Sequence, residues 1–381
     1  MLVVLATSPV AKAEALFAET DAFVGGQDDI NTYRIPSLIC TKNGTLLAFC
    51  EGRRDNNTDG SPTHLVLKRS LGNTGSWKPP ASRGRVDVGR SREHNLTWQP
   101  MQILLRCQAK EAYMNPVPLL DGSDGTIYLL VNRYARWGKE EDAGRGEPRV
   151  WLIQSGDEGA TWSQPADLTP SVGRIALGPG IGIQMKNGRL VAPVYDGVIF
   201  SDDHGRSWKA GGKTTGPVSE TQAVELTDGS LMLSTRGHPN RTVTISKDGG
   251  ETWGKPRRDP ALTDSELWGG CQASLIRWTR KDAGYDQDRL LFANPADRKH
   301  RFDLTVRLSY DEGKTWPVAK VIKQGPGAYS SMTVFPDETI GVIYETGNSY
   351  AGVVEYYAKL ALARFNLEWL TGGQDASQPT R

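Results

Sequence analysis

The sequence predicts an all-β fold, a six-bladed β-propeller, and two internal repeats predict it. The first repeat is the octapeptide Ser-x-Asp-x-Gly-x-(Ser/Thr)-Trp, which occurs at residues 155–162, 201–208, 246–253 and 309–316. The second is an Asn-Gly, Asp-Gly or Asp-x turn followed by an apolar strand. Its six copies begin at Asn43, Asp124, Asn187, Asp228, Asp288 and Asp337. One four-stranded sheet per strand start, arranged radially, accounts for both repeats.

Each octapeptide predicts a β-hairpin. The Asp side chain bonds its own turn, the Gly tolerates a positive φ, and the Trp packs the returning strand against a neighbouring layer. Residues 70–77 form a degenerate fifth copy that lacks the Asp. We interpret the repeat as structural and place no catalytic residue on it.

The composition suits one large β domain, which we predict over residues 21–371. The chain has 381 residues, with 42 Gly and 22 Pro that indicate many turns. Its formal net charge is +1, so no overall field favours nucleic acid, and an anion must be bound by locally placed cations. The sequence has no run of 18 apolar residues, so it predicts no transmembrane helix.

The ends of the chain lie outside this predicted domain. Residues 1–20 resemble the end of a secretory signal, or else form an N-terminal arm. A signal predicts a secreted or periplasmic protein, and a cytoplasmic or lysosomal type stays open. Residues 372–381 have the composition of a disordered tail. Residues 359–370 predict a late helix or closing strand, and residues 78–112 an insertion near the rim of the fold.

The four cysteines have no metal-ligand spacing. Cys40 and Cys50 lie on strands that are predicted to pair, so a disulfide between them is conceivable. We favour buried free thiols for all four, which are Cys40, Cys50, Cys107 and Cys271.

The six predicted strands share polar ends. In a propeller, equivalent strand ends converge on one face around the axis, so these residues are expected at one pocket. They are Glu51, Arg53, Asn132, Arg133, Asp196, Arg236, His238, Asn294 and Glu345.

Tyr33-Arg34-Ile35-Pro36, together with the octapeptide repeats, resembles the sialidase (neuraminidase) family over residues 21–370. The resemblance implies a propeller that hydrolyses terminal α-linked sialic acids of glycoproteins, glycolipids and oligosaccharides, with retention of configuration. We expect no cofactor. No metal-ligand cluster is present in the sequence, so chelators are expected to leave the activity unchanged.

The resemblance assigns three arginines to the sialic acid carboxylate: Arg34, Arg236 and Arg301. A planar guanidinium binds a carboxylate through two hydrogen bonds and stays charged when it is desolvated. Because three cations repel one another, nearby acids should hold them, and Glu345 resembles the acid that braces the first arginine. Arg307 competes for the third position, but alternation along its strand predicts a surface residue.

In this family the nucleophile is a tyrosine, an exception among glycosidases. Tyr329 matches it, and a neutral phenol avoids repulsion by the substrate's carboxylate. With an unperturbed pKa of about 10, the phenol needs a base. Glu220 matches that base. Glu225 is the rival, although it lies in an alternating strand and is expected to face solvent or a neighbouring blade.

The general acid of the family is an Asp on a loop after the first of these strands. Asp59 suits that position, with Asp55 as the alternative. The Gly and Pro residues of this loop would allow it to act as a lid.

Four further residues resemble those that contact the sugar. Arg53 matches a contact on the 4-hydroxyl side, Met114 and Asn115 match the wall of the N-acetyl pocket, and Gln272 matches a contact to the glycerol chain or leaving sugar. Met114 is equally well explained as a core residue.

Three other functions remain open on sequence alone. A non-catalytic propeller could bind sialylated glycans as a lectin. A related enzyme could transfer sialic acid or prefer the deaminated sugar, and transfer would use an aromatic acceptor site, for which Trp137 and Trp268 are candidates. A scaffold propeller would leave the three arginines unexplained.

Overall fold

The computed structural model describes residues 14–71, 96–108, 110–135 and 146–375. β-strands dominate this part of the chain, and its only α-helices are two short ones, so the prediction of an all-β fold is confirmed. No helix in these ranges is long and apolar enough to cross a membrane. The predictions for residues 1–13, for most of residues 70–95, for Trp137 and for residues 376–381 lie outside the described residues.

The first sheet contains eight strands from the N-terminal part of the chain. Their order is β2-β3-β4-β6-β7-β8-β9, with β5 paired to the middle of β4. A single parallel pair, Thr63 with Ala112, links β4 to β6. The strands are β2 (Thr32–Cys40), β3 (Leu46–Arg53), β4 (Thr63–Ser70), β5 (Gln102–Leu105), β6 (Ala112–Leu120), β7 (Ile127–Tyr134), β8 (Arg149–Ser155) and β9 (Ala166–Asp167).

Two four-stranded antiparallel sheets follow in the middle of the chain, after helix α1 (Thr169–Val172). One contains β10 (Ile183–Gln184), β11 (Leu190–Val194), β12 (Gly197–Ser201) and β13 (Lys209–Lys213). The other contains β14 (Thr221–Glu225), β15 (Leu231–Thr235), β16 (Asn240–Ser246) and β17 (Arg257–Thr263). In both sheets, strands that are consecutive in sequence are neighbours.

The last large sheet has seven strands in the order β1-β25-β22-β21-β20-β19-β18. They are β1 (Phe17–Val24), β18 (Ser274–Thr279), β19 (Arg289–Pro295), β20 (Phe302–Ser309), β21 (Val318–Val334), β22 (Ile340–Thr346) and β25 (Lys359–Phe365). Strand β21 has 17 residues; its first half pairs with β20 and its second half with β22. A small hairpin of β23 (Ser349–Tyr350) and β24 (Val353–Val354) lies between β22 and β25, and helix α2 (Leu367–Thr371) follows β25.

Strand β1 joins this last sheet by pairing antiparallel with β25, with Phe17 opposite Phe365. Just outside the pair, Leu16 N–H donates to Asn366 Oδ1 at 2.8 Å. The folded domain therefore begins before the predicted boundary at residue 21. It also extends past 371, because the Asp375 carboxylate binds Arg289 at 2.9 and 3.0 Å, so the predicted tail is ordered at least to that residue.

Both repeats form the predicted local structures. The six strand starts lead into β3, β7, β11, β15, β19 and β22. In the first octapeptide, Asp157 accepts hydrogen bonds from the Thr161 N–H and hydroxyl, at 2.9 and 2.6 Å, and from the Ser155 hydroxyl at 2.8 Å. The other three copies make the same bonds. Trp162 then packs edge-on against Phe49 of β3, so the hairpin joins neighbouring groups of strands.

Apolar residues of neighbouring groups pack together, which buries both faces of each group. This packing explains one departure from the sequence prediction, at Arg307, and decides between the two alternatives given for Glu225. Arg307 is only 8% exposed and donates to Asn294 Oδ1 at 2.9 Å, so its prediction as a surface residue is wrong. Glu225 is buried against Arg280 and the turn at Lys186 of the adjoining sheet, which is the neighbouring-blade alternative. All four cysteines are free.

Candidate active site

The structure contains a cavity of about 1710 Å³. Of the nine polar strand-end residues expected at one pocket, only Arg53 and Arg236 line it. The prediction is wrong for the other seven as lining residues: Glu51, Asn132, Arg133, Asp196, His238, Asn294 and Glu345. The predicted residues that line it come from sequence positions 34 to 329, so the fold gathers distant segments at one place. They are Arg34, Arg53, Asp59, Met114, Asn115, Glu220, Arg236, Arg301 and Tyr329.

Tyr329, Glu220 and Arg236 form a hydrogen-bonded cluster in this cavity. Glu220 directly precedes β14 and Arg236 directly follows β15, so the antiparallel pair brings them together, and Arg236 N–H donates to Glu220 O at 2.8 Å. The Tyr329 hydroxyl donates to Glu220 Oε1. Arg236 Nη1 donates to Glu220 Oε2 at 2.8 Å and to Tyr329 Oη at 3.1 Å. A carboxylate is therefore in place to take the phenol proton.

The surroundings keep Tyr329 protonated in the free protein. Burial and the charge of Glu220 raise its pKa well above the ordinary value for tyrosine, and Arg236 and Arg301 counter this only in part. Loss of the phenol proton to solvent is therefore unfavourable near neutral pH, and Glu220 is the carboxylate that is hydrogen-bonded to this hydroxyl.

Arg34 is held by the buried carboxylate of Glu345. Arg34 Nε and Nη2 donate to its two oxygens at 2.9 and 3.1 Å, and the Ile35 and Tyr329 N–H groups donate to the same carboxylate. The guanidinium lies 3.7 Å over the ring of Tyr357. Burial disfavours the cation, but the charge of Glu345 outweighs it, and the pKa of Arg34 is raised. Arg34 Nη1 is not used by Glu345.

Arg301 is the least neutralised of the three arginines. Its Nη2 donates to Gly270 O at 2.9 Å, and its guanidinium lies 4.7 Å from the ring of Trp268. Within the described ranges no carboxylate forms an ion pair with Arg301, and its buried Nε has no hydrogen-bond partner. Acids hold Arg34 and Arg236 as predicted, whereas Arg301 adds a positive charge that an anionic ligand can neutralise.

The loop after β3 places Asp59 at the cavity and Asp55 outside its lining. Asp59 is 60% exposed, and its Oδ1 lies 2.9 Å from Arg53 Nη2 and 3.8 Å from Arg34 Nη1. Arg53 is fully buried and also donates to Asn57 O at 2.7 Å on the same loop. Of the two candidate acids, only Asp59 is positioned to reach a ligand.

Three of the four residues that were predicted to contact the sugar line the cavity, and one does not. Arg53, Met114 and Asn115 line the cavity, whereas Gln272 is buried behind it. Gln272 Nε2 donates to Pro179 O at 3.0 Å, and its Oε1 accepts from Ser330 N–H at 2.9 Å. Both ends of its amide are thus used within the protein, and the predicted contact to substrate is replaced by support of the strand next to Tyr329.

Three residues at the site were not assigned a role from the sequence. Tyr357 lies under Arg34, Tyr195 lines the cavity near Glu220, and Glu51 is buried beside Arg53. For Tyr357, the available sequence signal was the adjacent pair Tyr356-Tyr357 just before the last strand. Among the described residues no cluster of His, Cys, Asp and Glu could hold a metal ion.

Several known proteins have sequences similar to this chain. Residues 82–343 match the family described as BNR repeat-like domain. The sialidase of Micromonospora viridifaciens is 33% identical over 97% of this chain and 57% of its own length. The exo-alpha-sialidase of Aspergillus fumigatus is 30% identical over 90% of this chain and 86% of its own.

A solved structure is similar as well. The Hadza microbial sialidase Hz136 superposes with a TM-score of 0.74 at 25% identity, over 92% of this chain and 69% of that one. The chain spans 57% and 61% of the bacterial relatives from M. viridifaciens and Bacteroides fragilis, so those proteins contain sequence with no counterpart here.

Proposed function

Since this chain belongs to the sialidase family, we propose that it is an exo-α-sialidase that hydrolyses terminal α-linked sialic acids of glycoproteins, glycolipids and oligosaccharides. The observation that carries the proposal is the Tyr329 hydroxyl bonded to Glu220 within a ring of three arginines. A buried tyrosine paired with a carboxylate suits attack on a carbon that itself bears a carboxylate, and the arginines suit that carboxylate.

Binding would begin with the sialic acid carboxylate among Arg34, Arg236 and Arg301. Arg301 would gain an anionic partner, which no carboxylate among the described residues provides. Arg34 would offer Nη1, since its Nε and Nη2 are held by Glu345. The carboxylate is bonded to C2 of the sugar, so these contacts would set C2 near Tyr329. The ring centroid of Tyr329 lies 5.3 Å from the Arg301 guanidinium and 5.4 Å from the Arg34 guanidinium.

In the first step, Tyr329 Oη attacks C2 while its proton passes to Glu220. The bond from C2 to the leaving oxygen breaks, and Asp59 donates a proton to that oxygen. In the second step Asp59 accepts a proton from water, whose oxygen attacks C2, and the C2–Tyr329 bond breaks as Glu220 returns the proton. Two inversions at C2 give net retention.

We further propose that the strands form six blades of a β-propeller. Six antiparallel groups of four support this count. They are β2–β5, β6–β9, β10–β13, β14–β17, β18–β20 with the first half of β21, and the second half of β21 with β22, β25 and β1. The six predicted strand starts fall one in each group.

The test is release of the fluorophore from an aryl α-sialoside by the purified protein and by Tyr329→Phe. We expect turnover by the parent, a loss of kcat of about 10³-fold or more in the variant, and binding of free sialic acid by both with similar affinity. NMR of the first-formed sugar should show the α anomer. Turnover of the variant at the parent rate would remove Tyr329 from the role.

One observation favours a second candidate, a sialic acid transferase. Trp268 is 55% exposed on the cavity rim, where an acceptor sugar could stack in place of water. Adding lactose during the assay distinguishes the two, because transfer yields a sialylated trisaccharide and hydrolysis yields only free sialic acid. Binding of sialosides without either product would indicate a lectin.

A further inference from the structure

Glu51 is a fully buried carboxylate that the proposed reaction does not use, and it contacts Arg53 and Asn115, which line the cavity. It lies at the end of β3, and its Oε2 accepts two hydrogen bonds from Arg53, from Nε at 3.0 Å and from Nη2 at 2.7 Å. Its Oε1 accepts from the Asn115 N–H at 3.0 Å. One carboxylate therefore links two separate segments that line the cavity.

On one side, Glu51 fixes Arg53, which in turn holds the loop after β3. Arg53 Nη1 donates to Asn57 O at 2.7 Å, and Arg53 Nη2 lies 2.9 Å from Asp59 Oδ1. Arg53 Nη2 thus lies between two carboxylates, the buried Glu51 and the exposed Asp59. The Asp59 side chain is 60% exposed on an irregular loop, and this ion pair connects it to a fully buried arginine.

On the other side, Glu51 fixes the backbone of Asn115 on β6. Asn115 has a φ of 55°, a left-handed conformation that is uncommon outside glycine and that asparagine tolerates. Its N–H points to Glu51, and its side-chain Nδ2 donates to Leu177 O at 3.2 Å. The hydrogen bond to Glu51 therefore helps to hold a strained residue against the cavity.

We propose that Glu51 is a positioning residue that holds the acid loop and the Asn115 wall in one arrangement and shares the charge of Arg53 with Asp59. The inference rests on the proposed sialidase function. Glu51 does not touch the substrate, and its effect reaches the reaction through Arg53 and Asn115.

The charge sharing has a specific consequence for catalysis. Without the Glu51 anion, the charge of Arg53 acts on Asp59 alone and stabilises the ionised form of that carboxyl group. Arg34 faces Asp59 from β2 at 3.8 Å and adds to the same effect, while Glu345 neutralises Arg34 from behind. Asp59 then becomes a poorer proton donor to the leaving oxygen.

The experiment compares Glu51→Gln with the parent on two sialosides that differ only in the leaving group. An aryl α-sialoside releases an acidic phenol and needs little protonation, whereas sialyllactose releases a sugar alcohol and needs a proton. We expect kcat/KM to fall by about 100-fold on sialyllactose and by less than about 5-fold on the aryl sialoside, given that general acid catalysis contributes about 10²- to 10⁴-fold.

The matched control is Glu111→Gln. Glu111 is also a buried glutamate that pairs with an arginine, Arg133, and neither residue lines the cavity. Its variant should lose stability without changing the ratio of the two kcat/KM values. A thermal melt of each variant reports on folding.

Glu51→Asp keeps the charge but is one methylene shorter, so it cannot reach Arg53 and Asn115 at once. It should retain the leaving-group ratio of the parent and raise KM on both substrates. If Glu51→Gln does not fold, Glu51→Asp alone tests the inference. The inference is overturned if Glu51→Asp changes the ratio of the two kcat/KM values and leaves KM unaltered. If Glu51→Gln lowers kcat/KM equally on both sialosides, the inference is overturned, while the proposed sialidase function stands. A parent that cleaves neither sialoside overturns the proposed function and this inference with it.

Discussion

At the scale of single residues, the buried ion pair of Arg34 and Glu345 supports both stability and ligand binding. Removing one partner leaves an uncompensated buried charge, which costs about 3–5 kcal/mol. We expect Glu345→Gln to lower the free energy of unfolding by about 3 kcal/mol in urea denaturation. Glu355→Gln is the control, because Glu355 is exposed on the same cavity rim. Equal stability of the two variants would contradict this interpretation of the pair.

Arg301 should contribute to affinity rather than to stability. Its Nε has no partner among the described residues, so the folded protein gains little from its planar shape until a carboxylate binds. Arg301→Lys keeps the charge but loses the two-pronged geometry, and the Kd for free sialic acid should rise by about 10-fold with Tm nearly unchanged. Titration calorimetry measures the Kd. Arg298→Lys, on the exposed turn nearby, should leave the Kd as it is.

The sequence could identify residues whose role depends on a local motif. Arg34 in its tetrapeptide and the strand-end Arg236 are examples, and the structure brings both to the cavity. Tyr357 was missed because it lies between β24 and β25, in irregular backbone whose path no periodicity predicts. Gln272 was misjudged because a motif does not tell which way a buried amide turns. Its position depends on Pro179 and Ser330, which are distant in sequence.

At the scale of elements, the octapeptide hairpins require glycine for two separate reasons. Gly159 has a φ of 74°, and a Cβ there would lie 2.3 Å from Leu47 Cδ2 on β3. For comparison, Gly125 lies outside the octapeptides, in the turn before β7. It has a φ of 83°, but a Cβ there would meet nothing within 4 Å.

Gly159→Ala should therefore destabilise the protein more than Gly125→Ala. Both variants strain the backbone, and only the first also overpacks the contact between hairpin and strand, which costs about 1–3 kcal/mol more. Denaturant midpoints of the two variants measure the difference. Equal midpoints would mean that Leu47 moves aside without cost.

Local signals predicted the elements better than their pairing. Six turn-and-strand segments were predicted and all six are strands. The long strand β21 was not predicted, because nothing near residues 326–327 indicates that its two halves pair with different neighbours. The burial of Arg307 was missed for a related reason. Alternation assumes one solvent-facing side, and here the other side packs against a neighbouring group.

At the scale of the whole molecule, the octapeptide aspartates make stability depend on acid pH. Hydrogen bonds from the side chains of Thr161, Ser207 and Thr252 are the main cause that lowers the pKa of Asp157, Asp203 and Asp248 to about 2. An unfolded aspartate has a pKa of about 3.9. Because the folded pKa is the lower one, their contribution is complete above about pH 4 and is lost as the pH falls towards 2.

We therefore expect Tm to fall steeply between about pH 4 and pH 2. Asp203→Asn should start from a lower Tm at pH 6 and show a shallower fall, because one of the titrating groups is gone. Scanning calorimetry across this range measures both slopes. Parallel curves for the parent and the variant would assign the acid sensitivity to other carboxylates.

The pairing of β1 with β25 has a consequence for how copies of the chain interact while they fold. The residues that meet there, such as Leu16 and Asn366, are 350 positions apart in sequence. Until they meet, each copy presents the unpaired edge of β25 and a free complementary strand. At high concentration the first strand of one copy can dock on the last sheet of another, which exchanges identical contacts at little cost. Refolding of concentrated protein should therefore give strand-swapped dimers, and dilution before refolding should give monomers.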